Sequence, residues 1–403
     1  MELKREIYPE LLENLNQREI LILLGARQVG KTFLLEELKE HCLNKNKRTK
    51  YYNLELPEHS RLFSKDLVEL YKEITKNTDF LFIDEFQYFK NASKLFKAIY
   101  DDRKLKVKII ASGSSSLEMH THLKESLAGR KYTKITRPLT YKEFSQSNKN
   151  FEQYLKYGGK PGLVNISSPD KKLKYLKEIL ETYILKDIKA LIKEEKISAF
   201  NNLIYYLAYN QGQVISANSL ANELRLSNLN VESYLEILEQ TYILYKVPSF
   251  AGNLSNELKK SRKYYLYDSG IRNAILNNFE EIKIRKDKGA IYEGYVNSFL
   301  VNNCPANGEI RFWRTRNGEE IDFVFLKNQK PYIFEVKSRL SSLEIPRTVR
   351  MFVKNYPSTK GAYIINENLE GELEYLDRTI RFIKIQNLEN DNDLRIIFKN
   401  LES

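Results

Sequence analysis

Short apolar runs alternate with helical stretches along the amino-terminal third of the chain. A run such as residues 19–25 (EILILLG) is continuously apolar and stops at a glycine, which is typical of a strand buried on both faces of a sheet. The runs predicted as strands are residues 19–25, the stretch around Tyr52, residues 79–84, residues 107–111 and the stretch around Ile135. Helical stretches separate them, so the pattern predicts a doubly wound α/β domain with a parallel sheet.

The middle of the chain has a helical pattern followed by a helix–turn–helix pattern. Residues 171–196 are helical in period and rich in lysine and glutamate, which predicts a helical lid or a pair of linker helices. Further on, Ser216 or Asn218 is expected to cap a short helix, Ser227 and Asn228 to form a turn, and residues 230–240 to form a second helix. Apolar runs at residues 243–247 and 264–267 could then supply the wing of a winged helix.

The carboxy-terminal part changes pattern again. A helix is expected to begin at Gly289. Three strand-like runs follow (IRFWRTR, EIDFVFLK and PYIFEVKSR), then a helical stretch at residues 347–354 and an apolar strand at residues 361–365. This order predicts an α-β-β-β-α-β domain. The three patterns together divide the chain into residues 1–145, 146–268 and 269–403.

The first predicted strand leads into the sequence GARQVGKT, which matches the phosphate-binding pattern GxxxxGK[ST] in its strand–loop–helix context. Glycines let the backbone curl around phosphates, while amide groups and the helix N-terminus supply partial positive charge. The residues expected to contact ATP are Gly25, Ala26, Gln28, Val29, Gly30, Lys31, Thr32 and Phe33. Lys31 is expected to reach the β- and γ-phosphates, and Thr32 is expected to be a Mg²⁺ ligand.

Two acids and two serines at the ends of later strands complete the expected ATPase site. Asp84 would hold Mg²⁺, and the next residue, Glu85, is placed to orient and activate the attacking water. Ser112 or Ser114 is a candidate for sensing the γ-phosphate, because a hydroxyl at the carboxyl end of a strand faces the nucleotide crevice. The sequence does not choose between the two serines, and either could cap a turn.

The overall composition limits the partners, the chemical sites and the cellular location that we expect for this protein. The 403 residues carry a formal net charge of +12, which favours nucleic acid as a partner, although a lysine-rich composition can also reflect solubility alone. Only two cysteines occur, far apart, so neither a disulfide framework nor a zinc site is expected. The first residues lack the apolar segment of a signal peptide and no apolar run reaches 18 residues, so we expect a cytoplasmic protein without membrane contact.

Several motifs in order resemble a prokaryotic AAA-type ATPase family whose members join the ATPase to a C-terminal domain of unknown function. These motifs are GARQVGKT, FIDEFQ, SGSSS, SLAGR at residues 126–130, RPLTYKEF at residues 137–144, YGGKPG at residues 157–162 and YLKEILETYILKDI at residues 175–188. The resemblance implies that Arg130 acts near the nucleotide, either in its own subunit or donated to a neighbour in a homo-oligomer. A solvated arginine after a glycine turn is the alternative.

The last domain contains acids within otherwise apolar strands. Asp322 and Glu335 are expected on adjacent strands, with Lys337 on the same face as Glu335. Two carboxylates that hold a divalent metal (Mg²⁺ or Mn²⁺), with a lysine beside them, suit phosphodiester hydrolysis. The pattern resembles the PD-(D/E)XK nuclease-like fold, and Glu293 matches the acid that this fold often carries on its first helix. A structural ion pair or an inactive scaffold is the alternative.

Two functional hypotheses follow. The first is an ATPase coupled to metal-dependent cleavage or binding of nucleic acid, with DNA as the expected partner. The second is an ATP-dependent switch or assembly protein with a catalytically inactive nuclease-like scaffold. The second helix of the helix–turn–helix is net acidic, which argues against its reading DNA directly. The basic run LKKSRK at residues 258–263 is therefore the better candidate for contacting phosphates, unless it is only an exposed hairpin.

Overall fold

A computed structural model describes residues 3–114, 127–181, 197–250 and 262–398. The chain divides into two structural units. Unit 1 comprises Met1–Leu139 with the short segments Lys160–Gly162 and Gln240–Ile243. Unit 2 comprises Thr140–Gly159, Leu163–Glu239 and Leu244–Ser403. The structure describes the predicted lid only as far as residue 181. The rest of the lid lies outside the described residues, as do Ser126 and residues 258–261 of the basic run.

Unit 1 contains a parallel sheet of five strands, as the apolar runs predict. The strands are β1 (Ile20–Leu24), β2 (Thr49–Asn53), β3 (Phe80–Asp84), β4 (Lys108–Gly113) and β5 (Lys131–Ile135), in the spatial order β2-β3-β4-β1-β5. All four neighbouring pairs are parallel. The carboxyl ends of all strands therefore lie at one edge of the sheet, and their amino ends lie at the other.

Helices cover both faces of this sheet. Those described in unit 1 are α1 (Tyr8–Asn14), α2 (Lys31–Asn44), α3 (Pro57–Phe63), α4 (Leu67–Thr75) and α5 (Ala92–Asp101). Because successive side chains of a strand point to opposite faces, Ile20, Ile22 and Leu24 pack in one hydrophobic cluster and Leu21 and Leu23 in another. Burial on both faces explains why β1 is apolar at every position.

The first part of unit 2 is helical and includes a small antiparallel sheet. Its helices are α6 (Tyr141–Ser145), α7 (Phe151–Tyr157), α8 (Pro169–Ile179), α9 (Ile197–Tyr209), α10 (Ala217–Leu224), α11 (Asn228–Gln240) and α12 (Ser269–Ile275). The sheet has the order β6-β8-β7, with β6 (Val214–Ile215), β7 (Leu244–Pro248) and β8 (Arg262–Leu266). Ser216, rather than Asn218, caps α10 through a capping box with Ser219. The second helix begins at Asn228, earlier than expected.

The last part of unit 2 contains the predicted α-β-β-β-α-β order. These elements are α13 (Lys288–Asn303), β9 (Gly308–Arg314), β10 (Glu320–Lys327), β11 (Lys330–Lys337), α14 (Arg347–Asn355) and β12 (Gly361–Asn366). The chain then adds β13 (Gly371–Glu374), β14 (Thr379–Lys384) and α15 (Asn392–Phe398), and the six-stranded sheet has the order β13-β14-β12-β11-β10-β9. The register of β10 against β9 shifts between Ile321 and Val324, so Asp322 lies where the pairing of these two strands is irregular.

Candidate nucleotide-binding site

The loop between β1 and α2 depends on glycine at two positions. A Cβ on Gly25 would lie 2.1 Å from the carbonyl oxygen of Thr136, so no larger residue fits there without movement of the backbone. Gly30 has a φ of +91° and is the residue from which α2 begins. The left-handed conformation costs glycine little and other residues more. The loop can therefore turn sharply and present its amide groups together with the helix N-terminus.

Lys31 lies inside this loop rather than in solvent. Its side chain is almost completely buried, and its Nζ donates hydrogen bonds to the carbonyl oxygens of Gly25 (3.1 Å) and Ala26 (2.9 Å). Burial lowers the pKa of the Lys31 ammonium to about 8, although the charges of Glu85 and Asp84 act in the opposite direction. A buried ammonium group that donates to two neutral carbonyls is well suited to bind an anion.

Asp84 is the centre of a polar cluster at the carboxyl end of β3. Its fully buried carboxylate accepts hydrogen bonds from Thr32 Oγ1 (2.7 Å), from Tyr51 Oη (3.1 Å) and from Ser112 Oγ. The first turn of α2, the middle of β2 and the carboxyl-terminal part of β4 therefore converge on the carboxylate at the end of β3. Ser112, which the sequence offered as one of two alternatives, is the serine that lies against Asp84.

Glu85 lies beside Asp84 in sequence, but its side chain contacts different residues. Its backbone has a φ of +53°, and its carboxylate accepts hydrogen bonds from Gln87 Nε2 and from the backbone amide of Ser114 (3.4 Å). Gln87 also donates to Ser114 Oγ at 2.8 Å. The structure thus brings Glu85 and Ser114 together just beyond the ends of β3 and β4, next to the Asp84 cluster.

The remaining loop residues differ in exposure. Val29 is completely buried, whereas Phe33 on α2 is 41% exposed. Gln28 has a φ of +58°, and its Oε1 is buried without a hydrogen-bond partner among the described residues. An orphaned acceptor in this loop, together with the Thr32 and Asp84 oxygens, fits a polar ligand bound with a divalent cation.

Two basic residues also donate hydrogen bonds to backbone carbonyl oxygens of the loop. The sequence analysis identified neither of them as a site residue. Arg5 is buried and donates to the carbonyl oxygens of Val29 (2.8 Å) and Arg137 (2.8 Å). Lys160 is buried and donates to the carbonyl oxygen of Arg27 at 3.0 Å. Lys160 lies within the motif YGGKPG, but that motif did not indicate a contact with the loop, and both residues reach the loop only through tertiary structure.

The structure does not bring Arg130 to the phosphate loop of its own chain, which corrects one of the expected placements. Its carbonyl oxygen accepts a hydrogen bond from the amide of Ile20, at the amino end of β1. Its guanidinium pairs with Asp101, with Nε 2.8 Å from Oδ1. The loop leaves the other end of β1, roughly 15 Å away at about 3.3 Å per strand residue. This placement does not support a role for Arg130 within its own subunit, and a role at a neighbouring subunit remains a prediction.

The acids of the carboxy-terminal sheet do lie together, as predicted. Asp322 on β10 and Glu335 on β11 each lie one residue beyond the paired residues Phe323 and Phe334, and the Asp322 amide donates to Glu335 Oε2 at 3.4 Å. Lys337 Nζ is 2.6 Å from Glu335 Oε1. Burial, followed by the charge of Asp322, raises the pKa of Glu335, while Lys337 acts in the opposite direction. The backbone amide of Val336 donates to Asp322 Oδ2 at 2.9 Å.

Lys263 of β8 lies among Asp322 and two further acids, a position that the sequence analysis did not predict. Its side chain is completely buried, and its Nζ lies 2.6 Å from Glu320, 3.2 Å from Asp322 and 3.8 Å from Glu293. Burial alone would lower the pKa of the Lys263 ammonium, but Tyr265 and the surrounding carboxylates raise it well above its ordinary value. The expectation that the basic run exposes Lys263 to phosphates is therefore wrong for this residue.

The carboxylates around Lys263 do not fit a metal ion as they are arranged. Among the described residues, no group of three or more histidine, cysteine, aspartate or glutamate side chains is placed to hold a metal. An ammonium group already neutralises Glu293 and Asp322, and a cation would have to displace it from a fully buried position. The expected metal site at Glu293, Asp322 and Glu335 is therefore not supported by this geometry. Separately, no helix in the described part of the chain is long and apolar enough to span a membrane.

Three family models match successive parts of the chain. Residues 17–145 match an AAA domain, residues 148–282 match a domain of unknown function (DUF8612), and residues 288–388 match another domain of unknown function (DUF4143). Curated relatives extend over all three parts. An uncharacterized protein of Haemophilus influenzae is 25% identical over 81% of this chain and 84% of its own length. An uncharacterized protein of Methanocaldococcus jannaschii is 25% identical over 96% of this chain and 88% of its own length.

Solved structures of replication and helicase proteins are similar at a lower level. The AMPPCP-bound DnaA of Aquifex aeolicus covers 58% of this chain with 86% of its own length, at 16% identity and a TM-score of 0.30. The Pif1 helicase of Candida albicans covers 44% of this chain with 48% of its own length, at 15% identity and a TM-score of 0.27. Residues 17–145, which match the AAA-domain model, contain the glycine loop and the parallel sheet described above.

Proposed function

We propose that this chain binds ATP together with Mg²⁺ at residues 25–32 and hydrolyses it. The observation that carries the proposal is the convergence of Lys31, Thr32 and Asp84 at the carboxyl edge of the parallel sheet. A hydroxyl and a carboxylate are ligands that Mg²⁺ accepts, and a buried ammonium in a glycine loop suits the phosphates of a nucleotide.

Each residue of the site has a distinct role in this proposal. Lys31 exchanges the carbonyls of Gly25 and Ala26 for oxygens of the β- and γ-phosphates. Thr32 and Asp84 hold Mg²⁺, which when bound neutralises charge on the phosphates during transfer. Glu85 orients the attacking water and accepts its proton. Ser112 donates a hydrogen bond to the carboxylate of Asp84 and senses the γ-phosphate through this contact.

Nucleotide binding is the direct test. ATP is titrated into the wild type and into Lys31→Ala in the presence of Mg²⁺, with calorimetric detection. Lys39→Ala is the matched control, because Lys39 lies about two turns further along the same helix. Binding by the wild type and the control, with a loss of about tenfold or more in Lys31→Ala, supports the proposal. Equal affinity in all three proteins, or no binding by the wild type, overturns it.

Arg130 has a role in the proposed activity only if the protein forms an oligomer. Arg130 lies far from the phosphate loop of its own chain, so it would act at the nucleotide of a neighbouring subunit. An arginine in that position stabilises the phosphoryl group during its transfer. Gel filtration with and without a non-hydrolysable ATP analogue tests this role. A monomer in both conditions removes Arg130 from the mechanism.

For the rest of the chain we propose a winged-helix module around α10, α11 and β6–β8, followed by a nuclease-like PD-(D/E)XK domain that binds DNA as a scaffold without cutting it. The domain boundaries proposed are residues 1–145, 146–268 and 269–403. The scaffold role is supported by Lys263, whose ammonium lies 3.8 Å from Glu293 and 3.2 Å from Asp322, two of the carboxylates expected to bind the metal. The net charge of +12 supports an anionic partner such as DNA.

Metal-dependent cleavage of nucleic acid is the second candidate function. The observation that favours it is the grouping of Asp322, Glu335 and Lys337 on adjacent strands. Nicking of supercoiled plasmid with Mn²⁺, by the wild type and by Glu335→Ala, separates the two candidates. Cleavage that disappears in the variant establishes the nuclease. Retention of DNA in a gel shift without cleavage supports the scaffold.

A further inference from the structure

We infer that unit 2 binds single-stranded DNA by its bases, in a tyrosine-lined groove between α9 and α10. This inference rests on the proposed binding of DNA by this part of the chain. It names the form of DNA that is bound and the chemical group that is recognised. The groove is separate from the phosphate loop and contains none of the acids of the carboxy-terminal sheet.

The groove is an open cleft at the surface of unit 2. It lies between the carboxy-terminal half of α9 and the end of α10, and its volume is about 620 Å³. Its lining includes Tyr205 and Tyr209 from α9, and Glu223 and Arg225 from the end of α10. Volumes of about 300–1,000 Å³ are typical of ligand sites, so the groove is large enough to accept a nucleobase.

Two tyrosines form the aromatic side of the groove. Helix α9 buries its apolar face in the core, yet Tyr205 is 51% exposed and Tyr209 is 67% exposed. The two residues are four positions apart and lie on one side of the helix. Their rings are nearly parallel, at 14°, with centroids 6.4 Å apart. Consecutive bases of a single strand also lie parallel to one another, so this pair of rings is suited to stack with them.

The charge of the groove indicates that bases, rather than phosphates, are recognised. Its described lining contains one acid, Glu223, and one base, Arg225, so the formal charges cancel. A groove that follows the phosphate chain is positively charged instead. Glutamate and arginine, together with the amide of Asn202 in the same lining, are side chains that form hydrogen bonds with the edges of bases. The net charge of +12 attracts the phosphates to the chain as a whole.

The tyrosine pair selects a single strand over a duplex. In a duplex the faces of the bases are covered by their neighbours, and only the edges are accessible in the grooves. Stacking on a side chain therefore requires unpaired bases. The composition of α11 agrees with this choice, because its glutamates Glu232, Glu236 and Glu239 oppose insertion of this helix into the groove of a duplex.

Fluorescence anisotropy with three labelled probes tests the inference on the full chain. The probes are a thymidine strand, a duplex of the same length, and an abasic strand that keeps the phosphates but lacks the bases. We expect the wild type to bind the thymidine strand most tightly. Tyr205→Ala and Tyr209→Ala are each expected to weaken that binding about tenfold, through loss of stacking, without changing the affinity for the abasic strand.

Tyr205→Phe and Tyr209→Phe are the matched controls. Both keep the aromatic face and are expected to bind the thymidine strand as the wild type does. The alanine variants should also keep the wild-type dependence of affinity on salt concentration, because they lose no phosphate contact. An equal loss for the thymidine and abasic strands, or a shallower salt dependence, would assign the tyrosines to phosphate binding and overturn base recognition.

Two further results separate this inference from the proposal on which it depends. Binding of the wild type to DNA that both alanine variants retain in full overturns the groove but keeps DNA as the partner. No binding of the wild type to the single strand or the duplex overturns the proposed DNA binding itself. Deca-proline is the competing probe, since proline-rich peptides also bind aromatic grooves. Deca-proline binding that disappears in Tyr209→Ala would assign the groove to a peptide and overturn the inference.

Discussion

The hydroxyl of Thr32 donates a hydrogen bond of 2.7 Å to Asp84, although β4 lies between the strands that lead to these two residues. Thr32 is in the first turn of α2, after β1, and Asp84 ends β3. The loop between β1 and α2 therefore spans the end of β4 and brings the first turn of α2 to the end of β3. A cation bound between the two oxygens would be held by both elements, so its binding depends on the geometry of the whole sheet edge.

Removal of the Thr32 hydroxyl is expected to reduce the amount by which Mg²⁺ increases the affinity for ATP. Thr32→Val keeps the shape of the side chain and deletes one cation ligand, so we expect ATP affinity in Mg²⁺ to fall about tenfold, the equivalent of one charged-group contact. Affinity in EDTA should change little. Tyr51→Phe is the control, because it also removes a hydrogen bond to Asp84 but leaves the proposed ligands in place. An unchanged effect of Mg²⁺ in Thr32→Val would exclude this residue as a ligand.

Gly25→Ala is expected to destabilise unit 1 and weaken nucleotide binding. The new Cβ would lie 2.1 Å from the Thr136 carbonyl, so the backbone must move, at a cost of about 1–3 kcal/mol or more. Gly129→Ala is the comparison, because Gly129 has a φ of +70° with no atom within 4 Å of its Cβ position and should cost only about 1 kcal/mol. Thermal unfolding of both variants measures the difference. Equal melting temperatures would show that the loop tolerates a side chain at Gly25.

Lys263→Met is expected to destabilise unit 2 strongly. The ammonium neutralises buried acids that include Asp322 and Glu320, and breaking such a buried arrangement from one side costs about 3–5 kcal/mol. Lys246→Met removes a lysine from the neighbouring strand, where its pair with Glu239 is partly exposed, and should cost at most about 1 kcal/mol. Urea unfolding followed by circular dichroism compares the two. Similar losses in both variants would mean that the acids around Lys263 tolerate its absence.

The pH dependence of stability should contain a contribution from Asp287. Burial would raise the pKa of this carboxyl, but hydrogen bonds from Arg285 and Arg272 lower it to about 2. A carboxyl with a depressed pKa stabilises the fold above its unfolded pKa of about 3.9, and this contribution is lost as the pH falls towards 2.

Comparison with Asp287→Asn isolates this contribution. The advantage of the wild type over the variant in the free energy of unfolding should shrink by about 1 kcal/mol between pH 6 and pH 3. Urea unfolding at both pH values measures the advantage. An advantage that stays constant or grows towards pH 3 would contradict the depressed pKa.

Local patterns predicted the elements of unit 1 and the core of its site, because both depend on short segments of sequence. The uninterrupted apolar run before Gly25 is a consequence of burial on two faces, and it therefore predicts a central strand. The loop pattern from Gly25 to Thr32 is contiguous in sequence, so Lys31 could be identified without knowledge of the fold. Asp84 followed from its place at the end of a second apolar run.

The residues that sequence reasoning misplaced or missed depend on contacts between distant segments. Lys263 pairs with Asp322, 59 residues later, and nothing around either residue in sequence indicates that partner. Lys160 reaches Arg27 across 133 residues. Arg130 could have been placed better, because a residue just before a strand of a parallel sheet lies at the amino edge, away from the phosphate loop.

Single-turnover release of phosphate from ATP is the most direct test of the proposed activity. Wild type and Glu85→Gln are each mixed in excess with ATP and Mg²⁺, after ATP binding by both has been verified. We predict that the wild type releases phosphate and that Glu85→Gln, which binds ATP equally well, does so about 100-fold or more slowly, because it lacks the carboxylate that activates water. No phosphate release by the wild type, or equal rates in the two proteins, would contradict ATP hydrolysis at this site.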